Sequence, residues 1–459
     1  MSKRCFPALA AAGFLSLAAC TVGPNYKRPQ VSPPDGYYHA PPGPPVTPAS
    51  LGDEKWWELF QDPELQNLIR AGLKNNYDVQ IAASRILQAQ TQVGIARSSR
   101  FPSVGAGPSF TSERLPGFTF SYFQIQALFS WDPDFWGKYR RATEAARANL
   151  LAAQSNRQQV VATLVSNIAI AYFQMRELDL ELSIATDTLA SRRESLALTN
   201  TLANGGAVAL VDVRQAEQLV ETAAETIPDT ERQIGLQEDL LSTLAGDNPH
   251  AIPRGRPLTD QPAPPQVPAG LPSRLLERRP DIRAAEEQLA AATANIGVAR
   301  AAFFPDLPLT GGAGIQSTHL LSLFSGPMAA WNFSAPLTQP IFEGGRLRSN
   351  LRLSEAQQQE MLLQYRQTIQ TAFRQVSDAL IAYTKDRDFR EHQERLTAAA
   401  QDAARLSDLR YRGGATSYLE VLTSQTNWFA AQLNRARARL AERMSLVQLY
   451  TALGGGWEQ

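Results

Sequence analysis

Val161, Leu164, Ile168, Ala171, Met175, Leu178, Leu182, Ala185 and Leu189 recur at alternating steps of three and four, a spacing that lays one apolar stripe along an α-helix and packs it against other helices. The same steps recur in Ile369, Phe373, Val376, Leu380 and Tyr383, and more weakly in Leu396, Ala399, Ala403 and Leu406. Each stripe lies in a stretch of 67 residues, 138–204 and 346–412, without glycine or proline, although the chain holds 29 of one and 30 of the other. Chance leaves such a window about once in ten thousand tries. Both stretches predict very long helices, on the order of 100 Å at about 1.5 Å per residue. Each runs into a glycine pair, Gly205-Gly206 or Gly413-Gly414, where the chain turns back into a return helix. Heptads alone point to a dimeric coiled-coil rod, but the rest of the chain argues against it.

Just ahead of each long helix the period changes to two. Phe123, Ile125, Ala127, Phe129 and Trp131 alternate with Tyr122, Gln124, Gln126, Leu128 and Ser130, and Trp331, Phe333, Ala335 and Leu337 alternate with Asn332, Ser334, Pro336 and Thr338. These are strands with one apolar and one wet face. Glycine-rich Pro102–Ser112 and Asp306–Ser317 supply partner strands across loops near Pro116 and Leu321, giving two hairpins. Gly311-Gly312-Ala313-Gly314 belongs to one of them and reads as tight strand packing rather than as a nucleotide loop. A bilayer accepts only helices or edge-free barrels, and the smallest barrels have about eight strands. Four strands therefore need at least two copies of the chain, and three would supply twelve. The wet faces would then line a lumen, with Trp131 and Trp331 in an aromatic girdle.

The body is duplicated. Asp78, Gly94, Ala96, Arg97 and Pro102 recur 203 residues later as Asp281, Gly297, Ala299, Arg300 and Pro305, and Gly205-Gly206-Ala207 recurs as Gly413-Gly414-Ala415. The predicted organisation is a signal peptide at 1–19 and a Pro-rich tether at 20–50, then a first repeat at 51–250 with hairpin 102–131, long helix 134–204 and return helix 207–246. A Pro-rich linker at 251–272 leads to the second repeat at 273–456, with helix 273–302, hairpin 306–340, long helix 344–412 and return helix 415–453.

Lys3 and Arg4 precede an apolar run from Phe6 to Leu17, too short to span a membrane and laid out as a secretory signal. It ends in Leu17-Ala18-Ala19-Cys20, which resembles the lipobox of bacterial lipoproteins and so implies a lipid on Cys20; Thr21 in the next position then favours the outer membrane. The other cysteine, Cys5, leaves with the signal, so the mature chain can form no internal disulfide. The formal net charge is zero and no basic block suggests nucleic acid. The four histidines, His39, His250, His319 and His392, are far apart and show no zinc spacing. Neither a nucleophile elbow nor a phosphate-cradling loop is present. No cofactor, metal or catalytic residue is expected.

Gly23-Pro24-Asn25-Tyr26 after the lipobox, Arg278-Arg279-Pro280-Asp281-Ile282, Gly344-Gly345-Arg346-Leu347 and the terminal Leu453-Gly454-Gly455-Gly456-Trp457 together resemble the outer membrane efflux proteins, in the lipoprotein branch of the TolC-like outer membrane factors. The resemblance covers the whole mature chain. It implies a mainly α fold with a membrane β-barrel, formed as a homotrimer whose 12-stranded barrel continues into a periplasmic helical tunnel. The implied role is the exit duct of a tripartite small-molecule efflux system, with a periplasmic adaptor and an inner-membrane transporter of the resistance-nodulation-division type as partners. Gly205-Gly206 and Gly413-Gly414 become the periplasmic tips, with a constriction just inside them. Matched through Gly414, the hydrophobic gate position is Leu419, and Thr423 stands where an acidic ring is frequent. Three threonines would close the lumen by bulk and hydrogen bonds without attracting cations. Glu420 is a further candidate, about 100° round the helix from Leu419. Two alternatives share many features: an exit duct for type I protein secretion, and a structural coiled-coil lipoprotein without a channel.

Overall fold

The computed structural model describes residues 21–34, 36–38, 50–262, 272–325 and 328–458. The signal segment and Cys20 lie outside the described residues. The elements in chain order are α1 (Trp56–Leu59), α2 (Pro63–Asn75), α3 (Tyr77–Ser98), β1 (Ser103–Leu115), β2 (Phe118–Trp131), α4 (Lys138–Asn204), α5 (Leu210–Ala245), α6 (Pro272–Arg278), α7 (Pro280–Ala301), β3 (Leu309–Ser317), β4 (Ala329–Ser334), α8 (Arg346–Arg412) and α9 (Tyr418–Ala452). They divide into two compact units. The first comprises residues 1–30, 84–155 and 283–368, and the second 31–83, 156–282 and 369–459.

In the first unit the two hairpins join into one antiparallel sheet of order β1-β2-β3-β4. The register sets the faces. Phe129 lies opposite Val104 and Gly311, Ala127 opposite Ala106 and Ala313, and Ile125 opposite Pro108 and Ile315, while Phe333 and Trp331 continue the same rows from β4. One face is thus apolar along these rows, giving way to Ser112, Ser121 and Ser317 toward the hairpin turns, and the Phe110 and Phe123 rings on it stand 4.7 Å apart. The other face carries Ser109, Gln124, Gln126, Gln316 and Asn332, with Gln124 donating to the Ser109 hydroxyl at 2.7 Å. Gly312 and Gly314 lie on this polar face. A Cβ on Gly314 would stand 2.0 Å from the Ile125 carbonyl, and one on Gly312 would stand 2.6 Å from the Asn332 side chain. The glycine run is therefore strand packing. The second hairpin is shorter than its expected span of 306–340, because Pro336 lacks the N–H that a ladder needs; beyond β4 only the bridge Asp306–Thr338 remains.

Residues 21–34 have no regular secondary structure, as nine prolines in the segment 24–48 dictate, but they do not hang free. The buried guanidinium of Arg141 donates to the Gly23 carbonyl at 3.3 Å and to Asn25 Oδ1 at 2.7 Å. Gly23, with φ at 103°, lies so close to Gly297 that a Cβ would fall 2.4 Å from its Cα. Tyr26 and Arg28 both reach Glu286, Arg28 at 3.0 Å. The expected tether is a strap over its first residues.

The long helices start later than expected from 134 and 344. Asp134 accepts from the Tyr139 and Arg140 amides at 3.1 and 2.7 Å and caps α4 beyond the left-handed Gly137. Gly344 and Gly345, both with positive φ, hold back α8 until Arg346. The expected helix 273–302 is two helices, since Pro280 cannot donate and opens α7 after α6 has ended at Arg278.

In the second unit the α4 stripe is buried from Val161 to Leu189 apart from half-buried Leu182. Ile184 and Ala185 of α4 pack with Phe429 and Ala436 of α9. The Ile369, Val376, Leu380 and Tyr383 part of the α8 stripe is buried too. The weaker continuation is not: Leu396 and Leu406 are 53% and 50% exposed, and Ala399 and Ala403 are also exposed. Here α8 meets its own chain through a small and polar stripe one position on, Thr397, Ala404 and Ser407, with the Thr397 hydroxyl donating to the Ala431 carbonyl of α9 at 3.0 Å.

Candidate gate at the helical turns

Both long helices end in the same cap. Gly206 and Gly414 adopt the left-handed conformation, φ 74° and 70°. The Ala207 amide donates to the Leu202 carbonyl and the Ala415 amide to the Arg410 carbonyl, each at 2.9 Å, while Gly206 and Gly414 reach Ala203 and Tyr411, again at 2.9 Å. These paired bonds satisfy the last carbonyls of the helix, and only glycine takes the conformation without strain. The residues that complete the turn delay the return helices to Leu210 and Tyr418, past the expected starts at 207 and 415.

The first turn of α9 divides its side chains between two faces. Tyr418 and Val421 are buried against Ala216 of α5, with Leu196 of α4 and Tyr411 of α8 beside them. The Tyr411 and Tyr418 rings meet edge-on at 5.3 Å, and burial pushes both hydroxyls above the usual phenol range. Leu419 points away and is 57% exposed. Thr423, one turn on, is also exposed; its hydroxyl donates to the Leu419 carbonyl at 2.9 Å, which fixes the rotamer. Glu420 faces neither way freely. Arg410 of α8 donates to its carboxylate at 2.8 Å and the Thr416 hydroxyl makes a second, very short bond. Leu419 and Thr423 thus share one uncharged face, and Glu420 is spent on its own hairpin.

Helical periodicity does not by itself mark the buried charged groups, among them Arg192 and the Glu177–Glu181 pair. Arg192 of α4 is buried, its guanidinium 4.9 Å from the Phe429 ring and its Nη1 donating to the Leu219 carbonyl of α5 at 2.6 Å. Burial pulls it below the usual guanidinium range. The signal was present, because Arg192 continues the steps of three and four after Leu189 and is a cation in the seam. Higher on α4, Glu177 and Glu181 are both buried, and Arg437 of α9 donates to Glu181 at 2.9 Å. Burial and the neighbouring Glu181 push the Glu177 carboxyl up to about 8. Nothing in the local sequence marks this pair, since exposed i,i+4 glutamates look the same. Among the described residues no cluster of His, Cys, Asp or Glu could hold a metal ion.

The family model for the outer membrane efflux protein matches residues 68–247 and 271–455, the two copies of the repeat that carries these turns. The chain belongs to the outer membrane efflux protein family. It is 36% identical over 468 residues to the toluene efflux pump outer membrane protein TtgC of Pseudomonas putida, covering 98% of this chain and 95% of TtgC. It is 34% identical over 448 residues to SilC of Salmonella typhimurium, named a probable outer membrane lipoprotein, covering 96% of each. Its fold matches the open-state Neisseria gonorrhoeae MtrE outer membrane channel with a TM-score of 0.87, 31% identity and coverage of 96% of this chain and 99% of that one. The protein is therefore an outer membrane efflux channel and not an enzyme. Its four strands belong to a membrane β-barrel and its long helices to a helical barrel.

Proposed function

We propose that three copies of this chain form one 12-stranded barrel and one helical duct, the exit of a tripartite pump that exports small molecules. A periplasmic adaptor and an inner-membrane transporter of the resistance-nodulation-division type would complete it, and a lipid on Cys20 would anchor each copy. The observation that carries the reading is the sheet with two open edges: β1 and β4 each have one neighbour in the order β1-β2-β3-β4. In hydrocarbon each unpaired backbone group costs several kcal/mol, so the edges must be closed by other copies. The exposed stripe of Leu396, Ala399, Ala403 and Leu406 supports the same association along the helices. At the tips, Leu419 and Thr423 from three copies would form a neutral constriction, and the Arg410–Glu420 pair would keep carboxylates from acting as a cation filter. Native mass spectrometry of the detergent-purified protein, with single-channel recording in planar bilayers, tests this reading. Three copies and discrete conductance steps are expected. A monomer, or an oligomer that never conducts, would overturn it.

A further inference from the structure

The two hairpins end in different ways. The first closes tightly on Pro116-Gly117, with Glu113 and Arg114 beside the turn. The second has no Asp, Glu, Lys or Arg anywhere from Leu307 to Phe342, and its connection holds a 3-10 turn, Leu320–Phe324. Leu323 of this turn is buried, yet Leu320, Leu321 and Phe324 are exposed, Leu321 to 92%. A hairpin end bathed in water would be expected to carry charge, as Glu113 and Arg114 at the end of β1 do; clustered exposed apolar side chains mark a surface that meets something apolar.

The direction in which the turn folds is set by Ser317. It alternates with Ile315 and Ala313 along β3 and lies opposite Phe123, so its side chain belongs to the apolar face of the sheet. Its hydroxyl bonds the Ser322 hydroxyl at 2.6 Å and accepts from the His319 amide at 3.3 Å, and the Ser322 hydroxyl donates to the His319 carbonyl at 2.9 Å. The turn is therefore fastened to the face that meets lipid, not to the polar face. All four links between strands and helices lie at the other end of the sheet.

We propose that Leu320–Phe324 is a membrane foot: Leu320, Leu321 and Phe324 are immersed in the acyl region of the leaflet farthest from the helices, continuing the apolar face of the barrel. The occupant is lipid hydrocarbon, which fits an uncharged segment in which the His319, Ser322 and Ser325 amides are paired to Ser317, His319 and Ser322. The test places a nitroxide label at Leu321→Cys or Phe324→Cys in the full-length channel reconstituted in phosphatidylcholine vesicles. Arg114→Cys at the charged turn is the reference, and the parent chain's own label signal is subtracted. Collision with oxygen should exceed collision with a water-soluble nickel chelate severalfold at both foot positions, with the order reversed at the reference. Nickel access equal to the reference would overturn the foot in favour of a water-exposed loop. Exclusion of both reagents would overturn it in favour of cover by a second copy or by the lumen. If Phe324→Cys fails to assemble, Leu321→Cys decides the question, since that side chain touches almost nothing in the fold.

Discussion

The buried Glu177–Glu181 pair makes a prediction whose sign and size follow from its surroundings. Glu177 has an ordinary value of 4.5 in the unfolded chain and about 8 in the fold. Below 4.5 both states hold the Glu177 proton, and Glu177 adds no pH dependence to stability. Between the two values the unfolded chain releases a proton that the folded chain keeps, so stability falls as pH rises, and the loss is complete above about 8. At about 1.4 kcal/mol per pH unit the ceiling is about 5 kcal/mol per protomer. Arg437, the cation set against Glu177 and Glu181 among the described residues, already serves Glu181 and is itself mostly exposed, so it offsets little of that loss. Glu177→Gln removes the titration while keeping an amide that can hydrogen-bond to Glu181. Thermal or urea unfolding of the detergent-purified protein should find the variant level with the parent chain near about pH 5 and progressively more stable toward about pH 9. The quantity to read is the difference between the two proteins at each pH, which cancels every other titrating group. A difference independent of pH would mean that Glu177 is ionised in the fold, and the argument from burial would fail.

Three further outcomes are expected. Leu419→Ala should raise resting conductance in planar bilayers, because three symmetry-related side chains lose bulk around one axis, while Thr423→Asp should raise cation preference without widening the aperture; unchanged conductance in assembled Leu419→Ala would place the constriction elsewhere. Ile125→Arg, midway along the apolar face, should cost about 2–4 kcal/mol, with Phe129→Arg costing less because it lies nearer the end of the sheet that joins the helices and Gln126→Ser on the polar face nearly neutral; equal losses of outer membrane yield would refute the facing. Cys20→Ala should abolish palmitate labelling, and undiminished labelling would remove Cys20 as the anchor.

The long helices, the hairpins and the turns were legible because glycine and proline act locally: a window without them stays helical, and a pair of glycines ends it. What sequence periodicity could not supply was the identity of the packing partner. Leu396, Ala399, Ala403 and Leu406 have the spacing of a seam, yet within the chain the seam is Thr397, Ala404 and Ser407, since α9 approaches on the side where small residues let backbones come close. The strap was missed for a similar reason. Proline content announces an extended segment but not the buried Arg141 that fastens it, and Gly297 reads as a repeat residue until Gly23 is found against it. At the candidate gate, spacing along the helix marks Glu420 as a candidate beside Leu419, but its arginine partner lies beyond the reach of helical spacing because the bond crosses the turn.

The twin turns carry a consequence for symmetry. Through Gly205 and Gly413, Val211 corresponds to Leu419, and the two are equally exposed at 57%. Asp212 likewise corresponds to Glu420, but Leu202 stands where the other hairpin has Arg410, so the Arg410–Glu420 ion pair has no counterpart across the first turn among the described residues. A ring of three such chains would present six nearly equivalent tips, and a strict sixfold ring has no means of choosing which hairpins yield first. A single arginine would lower that degeneracy to three: the Leu419 hairpins have this surface ion pair, the Val211 hairpins have a leucine in its place, and a ring that opens at these tips would acquire a built-in order.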